Sequence, residues 1–350
     1  MKIAVYAISK NEEQFVKRFC DSAKDADLII IGDTGSTDNT VALAKECGAV
    51  VPRIYITPWR FDKAREAVLA LIPPDIDICI SLDLDEVLED GWREEILRVW
   101  DKDTTRLRYK FDWGCGISFY YEKIHARHGY FWAHSCHEYP RPDPRIQEVY
   151  AHTDKLLVSH HPDPTKSRGQ YLDLLKVSVT EDPRCPRNAF YYARELTFYQ
   201  RWEEAIEALN RYLEMPEATW QNERCYAMRL LGKSYEETRF DSEALKWYRL
   251  ACAEAPFTRE PWVDLSMYCY RRSMWSESLF CATQALGVVD RALVYTCDPA
   301  VWTEKPYDLA SIASWHLGMK DQAIAYCKEA LKLNPDDQRL QDNLKSMETV

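Results

Sequence analysis

In the stretch 80–87, ISLDLDEV, an apolar run leads directly into Asp83, Asp85 and Glu86. Carboxylate oxygens at the end of a buried strand suit hard divalent cations, Mg²⁺ or Mn²⁺. Alternation along a strand places Asp83 and Asp85 on one face, where both reach one ligand. A second group with metal-binding side chains, His134, Cys136 and His137 in FWAHSCHEYPRP, lacks the CxxC or HxxxH spacing of structural zinc.

The elements that must position these residues are legible from hydrophobic period. Short β-branched runs at 3–8, 28–31, 53–56, 76–84 and 106–111 read as strands. Between them, 12–24, 39–47, 63–71 and 92–100 carry apolar residues at helical spacing. Strand alternating with helix predicts an α/β domain with a mostly parallel, Rossmann-like sheet and its ligand site at the carboxyl ends of the strands. Gly32 and Gly35 in GDTGSTDNT permit a tight turn, Ser36, Thr37 and Asp38 are helix-capping types, and Asp33 closes an apolar strand.

After about residue 182 the strands give way to helices with a recurring small-residue position. Ala205, Ala244, Ser278 and Ala323 are each followed seven residues later by Tyr212, Ala251, Ala285 and Ala330. Leu231, Gly232, Tyr235, Ala244, Ala251 and Pro256 have the spacing of a tetratricopeptide repeat, so the second domain is expected to be all-α helical repeats. The anchors are 39, 34 and 45 residues apart, so two units carry insertions relative to the ideal of about 34 residues. The expected domains are 1–175 and 183–347. Repeats serve either as a surface for a partner or acceptor or as a packing module, and the array is compatible with a homodimer.

With 350 residues, 46% of them hydrophobic, the chain has material for two cores. A formal charge of −11 supplies no overall basic field for nucleic acid. The apolar run at the N-terminus is too short for a signal peptide and no later stretch approaches a membrane span, which predicts a cytoplasmic protein. The 12 cysteines are scattered without a CxxC pair and read as reduced core residues.

Four motifs in order, AISKNEE, IGDTGSTDNT, WRFDKAREAVL and ISLDLDE, each after a strand, resemble those of family 2 glycosyltransferases with a GT-A fold. The resemblance implies transfer from a nucleotide-sugar donor, a UDP-sugar first among them, with Mn²⁺ or Mg²⁺. Ile8, Lys10 and Glu12 would belong to the first nucleotide loop, Asp33 would meet the nucleobase, and Arg65 would approach the nucleotide. Asp85 would hold the metal and Asp83 the ribose or a metal water. The chain departs from the family at Glu66, where Asn is more usual. The dipeptide His137-Glu138 resembles one after the central strands of the group, which makes Glu138 the candidate base of an inverting transfer to a hydroxyl or thiol. In LLVSHHPDPTKSRGQYLDLL, His160 or His161 would complete the metal shell, and Lys166 and Arg168 would neutralise the departing phosphate. The aromatic stretch 113–132 would wall the acceptor or fill a core. Acceptors open at this level are a glycan, a protein or peptide, or a modified nucleobase. Transfer to a modified DNA base, nucleotidyl transfer, and a non-catalytic repeat scaffold with a vestigial first domain are the alternatives.

Overall fold

The computed structural model describes residues 1–163 and 169–349. The chain divides into two units, Met1–Glu181 and Asp182–Val350. The expected domain end at 175 falls inside a helix, Tyr171–Glu181, so the first unit runs to that helix's end.

In the first unit the strands β1 (Ile3–Ser9), β2 (Leu28–Asp33) and β3 (Ile78–Ser81) lie parallel in the order β2-β1-β3. The residues of β1 alternate between two cores: Ile3, Val5 and Ala7 enter one, Ala4 and Tyr6 the other. Helices α1 (Glu13–Ser22) and α2 (Thr40–Glu46) follow the first two strands. The stretch 53–56 is not a strand. Only Arg53 bridges, to Asp33, before the chain enters α3 (Phe61–Leu71). Arg53 meets the open edge of β2 at that strand's last residue, so 54–56 run on past its end with no ladder beside them, and β-branched composition alone does not make a strand.

Beyond β3 come β4 (Glu86–Leu88), α4 (Trp92–Val99), β5 (Arg106–Gly114), β6 (Ile117–Ala126), β7 (Tyr130–Ala133), β8 (Tyr139–Pro142), β9 (Tyr150–His160) and α5 (Tyr171–Glu181). The sheet order is β2-β1-β3-β6-β5-β9-β4, with β7 and β8 forming a separate antiparallel pair. β6 enters antiparallel to both β3 and β5, β5 and β9 are parallel, and β4 is antiparallel to β9.

Gly32 is required by close approach. A Cβ there would lie 2.3 Å from Val68 Cγ2 on α3. Gly32→Ala is expected to cost about 1–3 kcal/mol through overpacking, read as a lowered melting temperature.

His125 on β6 is fully buried, with Nε2 2.9 Å from the Tyr6 hydroxyl and Nδ1 2.8 Å from the Ala126 carbonyl. Burial pushes its imidazole down to about 4 from an ordinary 6.5. Between those values the unfolded chain binds a proton that the folded chain refuses, so stability falls as the pH drops from 6.5 towards 4, by about 3 kcal/mol in all. Urea midpoints measured across that window should show the slope, and His125→Gln should flatten it.

The second unit is built of the helix pairs α6 (Pro186–Phe198) and α7 (Trp202–Leu213), α8 (Gln221–Glu237) and α9 (Asp241–Glu254), α10 (Glu260–Arg271) and α11 (Trp275–Gly287), and α12 (Lys305–His316) and α13 (Lys320–Leu333). A final helix, α14 (Gln338–Thr349), packs on α13. All eight anchor residues read from the sequence are buried. Within each pair a second small residue sits 12 positions before the anchor: Ala193, Gly232, Ser266 and Ser311. A Cβ on Gly232 would meet the Tyr248 ring at 2.8 Å, and Ser266 and Ser278 exchange hydroxyl-to-carbonyl bonds of 2.8 and 3.0 Å across α10 and α11. Close helix approach is therefore what the recurring small residues supply. Among the described residues no helix is long and apolar enough to cross a membrane.

Candidate functional site

The register Ser9↔Asp33 brings the ends of β1 and β2 level, and Tyr6↔Ser81 sets β3 beside them. Their loops are laced together. Thr34 donates from N and Oγ1 to the Ser9 carbonyl, each at 2.9 Å, and Asn11 N donates to Ser36 Oγ at 2.9 Å. Glu12 N donates to Thr40 Oγ1 at 2.7 Å. Asp33, almost fully buried, accepts from the N–H groups of Gly35 (3.1 Å) and Ser36 (3.0 Å), so its carboxylate stiffens the turn at which it sits. Ile8 packs against the α3-side core, and Lys10 is exposed.

Arg65, expected to approach the nucleotide, is enclosed by protein groups. It is 2% exposed on α3, and its guanidinium branches to three partners. Nε donates to Glu138 Oε1 at 2.5 Å, Nη1 to Ser81 Oγ at 3.2 Å, and Nη2 to Asp83 Oδ1. The same group lies over the Trp132 ring at 5.0 Å. Burial opposes its charge, but the Asp83 and Glu138 carboxylates outweigh burial and hold it well above its ordinary value. The unusual Glu66 has a local job, accepting from Trp132 N at 2.7 Å and so pinning β7 to α3.

Lys123 on β6 has no counterpart among the residues singled out from the sequence. It is 5% exposed, 3.7 Å from Asp83 and 3.8 Å from Glu86. Burial disfavours its ammonium, but Glu86 and then Asp83 hold it well above the usual lysine range. Burial likewise pushes the Glu86 carboxyl up to about 7, with Lys123 opposing and Asp83 adding. The signal was present in YYEKIHA, where alternation puts Lys123 on the same face as the buried His125. Asp83 is therefore shared between two cations, whereas Asp85 faces a histidine.

That histidine is His160, the last residue of β9. Its Nε2 stands 3.6 Å from Asp85 Oδ2 with both side chains 9% exposed. Antiparallel pairing of β4 with β9 sets Glu86 opposite His160, and the backbone of His161 donates to the Asp85 carbonyl at 2.8 Å, leaving its own side chain at the surface. Register thus decides between two histidines that sequence left equal. Burial lowers the His160 imidazole, but Asp85 and Glu86 raise it by more. Trp113, 45% exposed, lies against it at a tilt of 37° with ring centres 4.3 Å apart. Within the aromatic stretch Trp132 is core, its Nε1 donating to Tyr6 at 2.9 Å, while Trp113 remains open beside His160. Lys166 and Arg168 lie outside the described residues.

Glu138 is 9% exposed on a loop with two left-handed non-glycine residues, His134 (φ 75°) and His137 (φ 53°). The loop is held in that shape from both sides. Ser135 Oγ donates to the Leu174 carbonyl of α5 at 2.6 Å, and Phe61 N donates to the Ser135 carbonyl at 3.1 Å. The structure thus gathers Asp33, Arg65, Asp83, Asp85, Glu138 and His160 at one end of the sheet. Among the described residues no three His, Cys, Asp or Glu side chains converge as a ready metal site. The Asp85 and His160 pair offers one oxygen and one nitrogen ligand. An ion of the Mn²⁺ or Mg²⁺ kind held by that pair would need its other ligands from water or phosphate oxygens.

Residues 5–153, within the first unit, match the model of the family described as Glycosyl transferase family 2. An uncharacterized glycosyltransferase of Rickettsia conorii is 33% identical over 96 residues, covering 27% of this chain and 33% of that protein. One from Rickettsia bellii is 32% identical over the same length, covering 27% and 31%. The chain thus spans about a third of the length of the curated relatives it matches. Among solved structures, YrrB, described as a TPR protein with an unusual peptide-binding site, is 14% identical with a TM-score of 0.39, covering 51% of this chain and 83% of that one. MamA is 14% identical with a TM-score of 0.38, covering 48% and 83%.

Proposed function

We propose that the protein is a metal-dependent, inverting glycosyltransferase that moves a sugar from a nucleotide-sugar, UDP-sugars first, to an acceptor hydroxyl or thiol. The observation that carries this reading is the junction at Arg65, where one buried guanidinium binds both the acid of the strand-end motif, Asp83, and the candidate base, Glu138. Donor-side and acceptor-side groups are thereby fixed on one rigid part.

Asp85 and His160 would hold the metal, which when bound supplies positive charge against the diphosphate. Asp33 and the loop of Ile8, Lys10 and Glu12 border the nucleotide pocket. Trp113 offers the exposed ring on which a sugar stacks. Glu138 takes the proton from the acceptor O–H or S–H as that atom attacks the anomeric carbon. The carbon-to-phosphate-oxygen bond breaks, its electron pair leaves with the nucleoside diphosphate, and configuration inverts. Lys166 and Arg168 are the further cations assigned to that leaving group.

The products test the reaction class. Incubation with UDP-sugars and Mn²⁺ should release nucleoside diphosphate slowly to water in the absence of acceptor. Release of pyrophosphate instead would mean nucleotidyl transfer and would overturn the reading.

A further inference from the structure

In the second unit α6, α8, α10 and α12 touch in succession and so form one face. The link between α11 and α12 is the longest in the array and accounts for the 45-residue spacing from Ser278 to Ala323. It is strapped back onto that face. Arg259, just before α10, donates from Nε to the Val288 carbonyl at 2.8 Å, and Glu260 Oε1 accepts from Asp298 N at 3.0 Å. Both ends of segment 288–298 are therefore fastened to the start of α10.

From the middle of the strap Tyr295 reaches α6 and α8. Its ring stacks on Tyr191 at 6.1 Å and 22°, and lies 5.4 Å from Trp220 and 6.5 Å from Phe190. Its hydroxyl donates to Glu223 Oε2, whose other oxygen accepts from the Tyr212 hydroxyl at 2.8 Å. Glu223 is 9% exposed, and a carboxylate so buried is costly unless both oxygens are bonded. Under the strap a cavity of about 20 Å³ remains, bordered by Tyr226, Arg229 and Thr296 and large enough for about one water. Val289 is 76% and Leu293 37% exposed, whereas Thr296 and Cys297 are buried, so the strap is anchored from Tyr295 onward and only the stretch before it is thinly held.

We propose that this cleft is a recognition site for a tyrosine-bearing peptide segment, and that strap 288–298 is its resident, displaceable occupant. The aromatic walls take the ring, Glu223 reads the phenolic hydroxyl, and the first turn of α10 holds the peptide backbone on either side. The incoming occupant is a segment of another polypeptide with the same chemistry. Nothing in this depends on the activity of the first unit.

The probe is a labelled synthetic peptide of residues 288–298, added to the full chain under reducing conditions and followed by fluorescence anisotropy. A tethered strap competes at an effective concentration on the order of mM, so the wild-type chain should bind the peptide weakly. Tyr295→Ala in the chain should raise the affinity at least tenfold, because the resident no longer takes the competent state. A peptide with phenylalanine in place of its tyrosine should lose about tenfold, having no donor for Glu223. A folded Tyr295→Ala chain, judged by circular dichroism and melting temperature, that binds no better than wild type overturns the proposal. Equal binding of a peptide with alanine at that position overturns it too. If Tyr295→Ala does not fold, Tyr295→Phe replaces it, and failure to gain peptide affinity counts in the same way.

Discussion

Arg65→Met is expected to destabilise the first unit by about 3 kcal/mol, the largest stability effect of any single substitution at the site. Removing one partner of a buried ion pair costs about 3–5 kcal/mol, since the remaining charge keeps its desolvation and loses its compensation. Here two carboxylates lose the same partner, but Asp83 is 41% open to solvent and recovers part of the loss through water. Glu138, at 9%, does not. Arg65→Lys should restore little, because one ammonium cannot fork to Glu138, Ser81 and Asp83 as the guanidinium does. Calorimetry of the full chain reads the effect as a drop on the order of 10 °C in the transition of this unit. A combined Arg65→Met, Glu138→Gln variant should be milder than the sum of the two changes, and strict additivity would show that the two groups do not act as a pair.

Glu138→Gln should leave donor binding intact and lower kcat by about 10²–10⁴-fold, the usual worth of a positioned general base. The amide keeps the shape and still offers an oxygen to Arg65 Nε, so the folded loop survives while the proton acceptor is lost. Burial and the two left-handed histidines around Glu138 place it in a backbone arrangement that folding alone would not favour, as expected where geometry serves chemistry. Full transfer by a variant that still binds donor would remove Glu138 from this role.

Much of the site was legible where chemistry sits at the end of a locally determined strand. Asp33 closes its apolar strand as expected, and the small-residue positions of the helical unit lie where the spacing put them. Asp83 and Asp85 do not share a strand face: β3 ends at Ser81, and in the turn that follows Asp83 meets Arg65 and Lys123 while Asp85 meets His160. What escaped was set by contacts distant in sequence. The 53–56 run resembles a strand in composition, but only a single bridge was available to it. The choice of His160 over His161 depends on β9 pairing with β4, some 70 residues earlier. The carboxylate partners of Arg65 come from β3's end and the Glu138 loop, which spacing along the chain does not bring to it, and Lys123 looks like an ordinary strand lysine until its strand lies beside the two acids. Likewise the insertion before α12 announced itself only as a broken period, and its contacts with α6 and α8 belong to tertiary structure.

A donor site completed by a cation should reveal itself in a thermal-shift series on the whole protein. UDP-, GDP-, dTDP- and CMP-sugars are each combined with Mn²⁺, Mg²⁺ or a chelator, on the wild-type chain and on Asp85→Asn. A ligand selective for the folded state raises the melting temperature, by about 2.7 kcal/mol of stabilisation at a hundredfold excess over Kd. One nucleotide class should give a rise that needs the cation and disappears in Asp85→Asn. No rise with any donor under any metal, or an equal rise in Asp85→Asn, would contradict it.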